Sequence, residues 1–379
     1  MIVTFWKGVF VVDTPDDVRL LKKSDFVQHE PTICHFKGEK CKGCRANIGR
    51  RWWSSRPESA TLMKKFCNPI ALAALESHFK KLRQSRAVTS NIKIPVPHGL
   101  AYEPHQDACV EYCANHKDTL IADDMGLGKS VEALGFFNYI KPKNVLIICP
   151  ATLIFNWRNE AEKWLVEKRF RIIEISSKTQ TIPEGDDLVV IVNYEKLPDD
   201  SPLSQSLNER QWDVMVVDEA QYLKNPTSKR SQAVIGQDGL MRRARRCLFL
   251  TGTPIENYPR EIWPIASAIC PAKFGDWWAF ARRYCGLHQE SRNGRMQWVT
   301  EGSSHLGELQ QRLRASFMIR RLKSDVNLGL PPKRRQLILL RDPKIDWSKN
   351  PQFQKWKELY EKAYEEIAAR LETAKTEAE

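Results

Sequence analysis

The chain has 379 residues, 42% hydrophobic and 28% charged, with a formal net charge of +13. At roughly 150 residues per domain it has room for two or three domains with full cores, which excludes a disordered or collagen-like chain. No apolar run approaches the ~18–20 residues of a membrane helix. The opening "MIVTFWKGVFVVD" is broken by Lys7 and lacks a small-residue cleavage site, so it does not read as a signal peptide. The expected setting is intracellular (cytoplasm, nucleoid or nucleus), with no membrane partner.

Residues 1–95 read as a small, basic, Cys-containing accessory module. Short strand-like pieces lead to a helix over Asn68 to Leu82. "CHFKGEKCKGC" offers Cys41-x-x-Cys44, a spacing that presents two thiolates to one Zn²⁺, with Cys34 as a third ligand. Cys67, His29 or His35 would complete a tetrahedral site, and free thiols in a basic loop are the competing reading. Trp52 and Trp53 either pack a small core or contact a partner. The other six cysteines stand singly in apolar contexts and read as small hydrophobes. "KIPVPHG" (93–99) has the prolines and glycine of a linker.

Residues 96–270 alternate β-rich runs with helical patterns. The runs are "TLIAD" (119–123), "NVLIIC" (144–149), "RIIEIS" (171–176), "LVVIVNY" (188–194), "DVMVVDEA" (213–220) and "CLFLTGT" (247–253). Near-continuous Val/Ile/Leu runs suit parallel strands buried on both faces. With helices at Ser130–Ile140 and Leu153–Leu165 between them, the order predicts an α/β domain with a mostly parallel sheet. Residues 271–335 are expected to form a helical protrusion with a polar insert, "HQESRNGRMQ". Residues 336–379 are expected to form a linker or brace helix, centred on Phe353 to Thr373.

Two segments carry chemistry. "ADDMGLGKS" follows a strand and precedes a helix, and it ends as a phosphate-binding loop ends, although Asp123 holds the place where Gly is usual. Gly126 and Gly128 let backbone N–H groups turn toward phosphate oxygens. Lys129 is placed to reach the β/γ phosphates and the Ser130 hydroxyl to hold Mg²⁺, with the helix start adding its positive end. "VMVVDEAQ" sets Asp218 and Glu219 at the carboxyl end of a strand, where parallel sheets put ligand sites. Asp218 is the candidate Mg²⁺ holder and Glu219 the base for an attacking water.

At this point the chain resembles the superfamily-2 helicases, and among them the SWI/SNF-type ATPases that translocate on duplex DNA. That family's loop reads Asp-Glu-Met-Gly-Leu-Gly-Lys-Thr, which accounts for Asp123 and, by likeness, adds Met125 and Leu127 to the nucleotide-contacting loop. "YEPHQ" (102–106) resembles the adenine-reading motif, carried by Gln106. "CPATLIFNWRNEAEKW" (149–164) is similar to motif Ia, with Thr152, and "VNYEKL" (192–197) to motif Ib, with Asn193. Both residues are candidates for DNA-backbone contacts. "DEAQYLKNPTSK" is similar to the Asp-Glu-Ala-His motif with Gln221 in place of His. "LTGTPIEN" resembles the coupling motif III, carried by Thr251, Thr253 and Asn257. "FMIRRLKSDVNLGLPPK" (317–333) is similar to the segment leading to a second lobe. "ADDMGLGKS" and "SSHLGELQQRLRASFMIRRLKSDV" look most like the HARP-type annealing-helicase branch.

The resemblance implies a RecA-like P-loop NTPase lobe, an accessory module before it and helices after it. It also implies ATP and Mg²⁺ as cofactors and DNA, bound by its backbone, as partner. Basic clusters at Arg45–Arg56, Lys80–Arg86, Arg242–Arg246 and Pro332–Arg335 agree with a polyanion partner. Such motors close ATP between two lobes, the second bringing a Gln-x-x-Arg-x-x-Arg motif. No second strand series follows Leu340, and "LQQRLR" (309–314) reads as helix surface. The reading is therefore one lobe, weakly active alone and needing a second in cis or in trans. The alternatives are a non-catalytic ATP/DNA-binding module that recruits or blocks a partner, and an unrelated P-loop kinase or transporter ATPase.

Overall fold

The computed structural model describes residues 2–6, 9–12, 27–28, 52–54, 57–197, 201–292, 295–326 and 351–376. The chain divides into two compact units, Met1–Leu328 and Gly329–Glu379.

The first unit opens with a four-stranded antiparallel sheet in the order β1 (Val3–Trp6), β2 (Val9–Val12), β4 (Trp52–Ser54), β3 (Val27–Gln28). Two helices follow, α1 (Pro57–Leu62) and α2 (Pro69–Gln84). Asn68 starts α2: its side-chain oxygen accepts from the Ala71 N–H at 2.9 Å, and Pro69 supplies the fixed φ of the first turn. Val3, Phe10, Val12, Trp52, Met63 and Leu75 close a small core, so Trp52 is a packing residue. Cys67 belongs to the same packing. Its thiol donates to the Ala60 and Met63 carbonyls at 3.7 and 3.6 Å, and burial raises its pKa despite Lys64 nearby. Cys67 is thus a partly buried thiol packed against the small core. Cys34, Cys41 and Cys44 lie outside the described residues.

The segment read as a linker has no regular structure, yet Ile92, Ile94 and Leu100 pack against the large core. Then come α3 (Pro104–Ala114), β5 (Asp118–Ile121), α4 (Lys129–Ile140), β6 (Asn144–Cys149), α5 (Ile154–Trp164), β7 (Arg171–Glu174), β8 (Leu188–Asn193), α6 (Pro202–Glu209), β9 (Trp212–Val217), α7 (Lys229–Ile235) and β10 (Ala244–Leu250). A two-residue strand, β13 (Met318–Ile319), joins them late. The sheet is parallel throughout, in the order β13-β5-β10-β9-β6-β8-β7.

Alternation explains why both faces are dry. Val145, Ile147, Val189, Ile191, Val214 and Val216 face a core shared with α3, α4 and α5. Leu146, Ile148, Val190, Val192, Met215 and Val217 face the opposite core. Each fully buried Val, Leu or Ile contributes about 1.5–3 kcal/mol of transfer free energy, so a sheet covered on both sides specifies its own register.

The second core is closed by α8 (Trp263–Ile269), α9 (Pro271–Phe274), α10 (Trp277–Tyr284) and α11 (Leu306–Arg314). Two expectations for 271–335 are corrected. The polar insert is an antiparallel hairpin of β11 (His288–Arg292) and β12 (Arg295–Val299), for which Asn293-Gly294 is the sequence signal. "LQQRLR" is surface only in part: Gln310 is exposed, but Leu309, Leu313 and Arg314 are buried, with Arg314 Nη1 donating to the Ser85 and Arg320 carbonyls at 3.1 and 2.7 Å. The second unit contains α12 (Pro351–Thr376), a helix where one was expected.

Candidate active site

The strand order sets the carboxyl ends of β5, β10 and β9 side by side. Neighbouring strands are about 4.8 Å apart, so the loops after β5 and β9 lie roughly 10 Å apart with the β10 loop between them.

The loop after β5 turns on Gly126 (φ 84°) and Gly128 (φ 85°), in the left-handed region that glycine enters without steric cost. Gly128 immediately precedes α4, whose first N–H groups have no intrahelical partners. Gln106 is packed on this loop. Its Nε2 donates to the Leu127 carbonyl at 3.3 Å, and its Oε1 accepts from the Glu103 N–H at 3.0 Å. His105 Nε2 donates to the same Leu127 carbonyl at 2.9 Å. Lys129 Nζ donates to the carbonyls of Asp123 and Asp124 at 3.0 and 3.4 Å. Met125 is exposed, Leu127 buried and Ser130 half-buried in the first turn of α4.

After β9, Asp218 is buried and fully engaged. Oδ2 accepts from Trp157 Nε1 at 2.8 Å, Oδ1 from the Glu219 N–H at 2.9 Å, and its backbone carbonyl accepts from the Tyr194 hydroxyl at 2.6 Å. Burial pushes the carboxyl pKa up; the Trp157 bond opposes this, the Glu219 charge adds to it, and Lys129 lowers it. Glu219 sits at φ 48°, ψ 53°, a left-handed geometry costing a non-glycine residue about 1–2 kcal/mol. Gln221 donates from Nε2 to Glu219 Oε2 at 2.7 Å. Its amide therefore steadies the carboxylate of the candidate base.

The β10 loop closes the group. Thr251 is buried, its N–H donating to the Ile121 carbonyl at 3.0 Å and its Oγ1 accepting from the Thr253 N–H at 3.1 Å. A Cβ on Gly252 would stand 2.8 Å from Met125 Cγ and 3.4 Å from Lys129 Nζ, so the β10 loop approaches Lys129 backbone-first. Lys224 pairs with Glu256 at 2.5 Å, tying the loop after β9 to the one after β10. Thr152 is exposed after β6 and Asn193 buried at the end of β8, its Oδ1 without a hydrogen-bond partner among the described residues. Both lie on the same sheet edge, beyond Asp218.

The glycine turn, the lysine held over its carbonyls, and the buried acid with a strained acid after it suit a triphosphate with a divalent cation. The donor set is backbone N–H and ammonium for the anion, and hydroxyl and carboxylate oxygen for a hard cation. No described group of three or more His, Cys, Asp or Glu side chains forms a metal cluster of its own.

Asp123 departs from the expected role. It is fully buried, and both carboxylate oxygens are taken by Arg321: the Arg321 N–H donates to Oδ1 at 2.9 Å, while Nε, at 2.8 Å, and Nη2 donate to Oδ2. Only its backbone carbonyl meets Lys129. Sequence reasoning missed Arg321; the one signal was a pair of arginines following an apolar, strand-like "FMI". It also assigned nothing to His105, Tyr194 or the Trp157 ring nitrogen. The Arg242–Arg246 cluster lies at the amino end of β10, the opposite edge of the sheet. There Arg246 Nη1 donates to the carbonyls of Cys113, Ala114 and His116, and Arg245 pairs with Asp213 at 3.1 Å.

An all-parallel sheet with these loops on its carboxyl edge defines a RecA-like α/β core. The Sulfolobus solfataricus SWI2/SNF2 ATPase core in complex with dsDNA shares the fold, with a TM-score of 0.50 and 24% identity over 65% of this chain and 49% of that one. The SNF2-related domain profile matches residues 78–376, and the chain belongs to that family. It is similar to the DNA annealing helicase and endonuclease ZRANB3 of Bos taurus, 36% identical over 249 residues, which is 65% of this chain and 23% of that protein. It is also similar to the SWI/SNF-related matrix-associated actin-dependent regulator of chromatin subfamily A-like protein 1 of Xenopus tropicalis, 31% identical over 223 residues, 58% of this chain and 22% of that one. The chain thus spans under a quarter of the length of these relatives.

Proposed function

We propose that residues 96–270 are the ATP-binding first lobe of a DNA-dependent ATPase that translocates on, remodels or anneals duplex DNA. A second lobe, in cis or in trans, supplies the other wall of the cleft. The observation that carries this is the convergence on one sheet edge of Lys129, the close backbone of Gly252 and buried Asp218. Family membership and the DNA-processing names of the similar proteins support the same reading.

In this proposal Gln106 reads the adenine edge, and the N–H groups of 126–130 with Lys129 hold the phosphates. Ser130 and Asp218 hold Mg²⁺, which when bound neutralises phosphate charge as it develops. Glu219, held by Gln221, orients and deprotonates the attacking water. Trp157 and Tyr194 fix Asp218, and Lys224–Glu256 carries displacement from the Asp-Glu pair to the Thr251–Thr253 loop. Thr152 and Asn193 contact the DNA backbone, which positions a motor without reading sequence.

Lys129→Ala tests the site. A hydrogen bond to a charged group contributes about 1.5–3 kcal/mol, roughly 10- to 100-fold in affinity. Calorimetry should show ATP·Mg binding weakened by about that factor in Lys129→Ala and unchanged in Lys80→Ala, whose side chain is on exposed α2 surface. Equal affinities in the two variants would sink the assignment.

A further inference from the structure

The segment after β13 does more than lead out of the lobe. The ladder begun by β13 and β5 runs on into the loop: the Ala122 N–H donates to the Ile319 carbonyl at 2.8 Å and the Asp124 N–H to the Arg321 carbonyl at 3.0 Å. Arg320 Nη1 donates to the Ala122 carbonyl at 2.9 Å. Lys323 brings its ammonium to 3.5 Å from where a Cβ on Gly126 would stand. Arg320 and Arg321 therefore bond the 122–124 stretch, with Lys323 beside Gly126.

Arg321 is the centre of this contact and is fully buried. Beyond Asp123, its Nη2 donates to Glu132 Oε1 on α4 at 2.7 Å. Its Nη1 donates to the carbonyl of His105, the residue before Gln106, and to that of Ala87 at 3.2 Å. One planar guanidinium thus bonds the first residue of the loop, the helix after it and the turn carrying Gln106. Two carboxylates against one arginine is a poor arrangement for stability alone, because buried charge is costly even when paired. Burial, with Cys109 and Asp123 adding and Arg321 opposing, pushes the Glu132 carboxyl well above its ordinary range.

We propose that Arg321 is a positioning residue for nucleotide binding, its fork fixing the Asp123 carbonyl that holds Lys129 and, through His105, the Gln106 turn, so that the loop takes its phosphate-accepting shape only with the 318–323 segment docked. This rests on the ATP reading above. It also supplies a route by which movement of that segment changes nucleotide affinity.

The test compares Arg321→Lys with Arg246→Lys, a carbonyl-capping arginine at the far edge of the sheet. Lysine keeps the charge but loses the planar fork. Both variants should unfold somewhat earlier in urea, but only Arg321→Lys should bind ATP·Mg and ADP about 10-fold or more weakly by calorimetry. If Arg321→Lys proves too unstable, Asp123→Asn and Glu132→Gln with Arg321→Gln remove the three buried charges together. That triple variant should recover the folded protein while ATP affinity stays low. Equal ATP affinity in Arg321→Lys and Arg246→Lys, or recovery of both stability and affinity in the triple variant, would overturn the proposal. Absence of ATP binding by the unaltered protein would overturn instead the reading on which it rests.

Discussion

Asp218 and Glu219 are neighbours with opposite surroundings. Asp218 has three neighbours fixing it from three elements, Trp157 on α5, Tyr194 after β8 and the backbone of Glu219. Glu219 is only half-buried and steadied by one amide. A cation ligand should be rigid, and a base must exchange its proton with solvent, so the pair is divided as the proposed roles require. Residue-scale chemistry also sets an acid limit at a distance from the site. His116 ends the α3 region stacked on Tyr112 at 4.0 Å, its Nδ1–H donating to the Tyr112 carbonyl at 2.8 Å. Burial lowers its pKa below 6.5 and the Lys81 charge adds to this, while the carbonyl opposes. A histidine with a depressed folded-state value contributes stability that is full above 6.5 and lost as pH falls through the folded value. Urea midpoints measured from about pH 7 to about pH 5 should therefore fall more steeply for the unaltered protein than for His116→Gln. Parallel slopes would remove His116 from the account.

At the scale of elements, the four long strands β6, β8, β9 and β10 were legible because most of each is buried on both faces and reads as a run of apolar residues. "NVLIIC" is β6 residue for residue. The site was legible for a related reason: its residues stand at strand ends, where apolar runs stop and glycine, lysine or paired acids begin. Other features left weaker marks. β13 is two residues long, and Arg321, two places beyond it, meets Asp123 across 198 positions of chain, a separation over which no periodicity speaks. The hairpin after α10 was hidden by its polar strands, and Arg314 by the helical spacing it shares with true surface arginines. The Asp123 position illustrates the limit: family likeness fixed its identity, but only the fold revealed Arg321 as its partner. The junction of loop and helix gives a direct test. A Cβ on Gly128 would stand 2.5 Å from Gln106 Nε2 at φ 85°, and left-handed backbone costs alanine about 1–2 kcal/mol. Gly128→Ala should lose about that much stability in urea denaturation and, by displacing Gln106, also lose preference for ATP over GTP. Unchanged base preference in a destabilised but folded variant would separate Gln106 from adenine recognition.

For the whole molecule, the +13 charge and the RecA-like core describe a lobe suited to ATP and a polyanion. Its strongest features lie on one edge of the sheet, with structural arginines such as Arg246 on the other. The candidate DNA contacts, Thr152 and Asn193, continue that edge past Asp218, so nucleotide and DNA would be read by adjacent loops of one sheet. The central claim is that this lobe binds ATP but needs charge from a second lobe at the transition state. An arginine supplied across a cleft contributes about 10³–10⁵-fold in phosphoryl transfer, which is about 4–7 kcal/mol of barrier. The most direct measurement is steady-state ATP hydrolysis by the homogeneous 379-residue chain, with and without duplex DNA, before and after adding a second-lobe polypeptide in trans. The account predicts slow turnover with little DNA stimulation by the chain alone, a large rise on adding the second lobe, and loss of that rise in Glu219→Gln. Robust DNA-stimulated hydrolysis by the chain alone would contradict it, because the transition-state arginine would then come from within this chain or from a second copy of it.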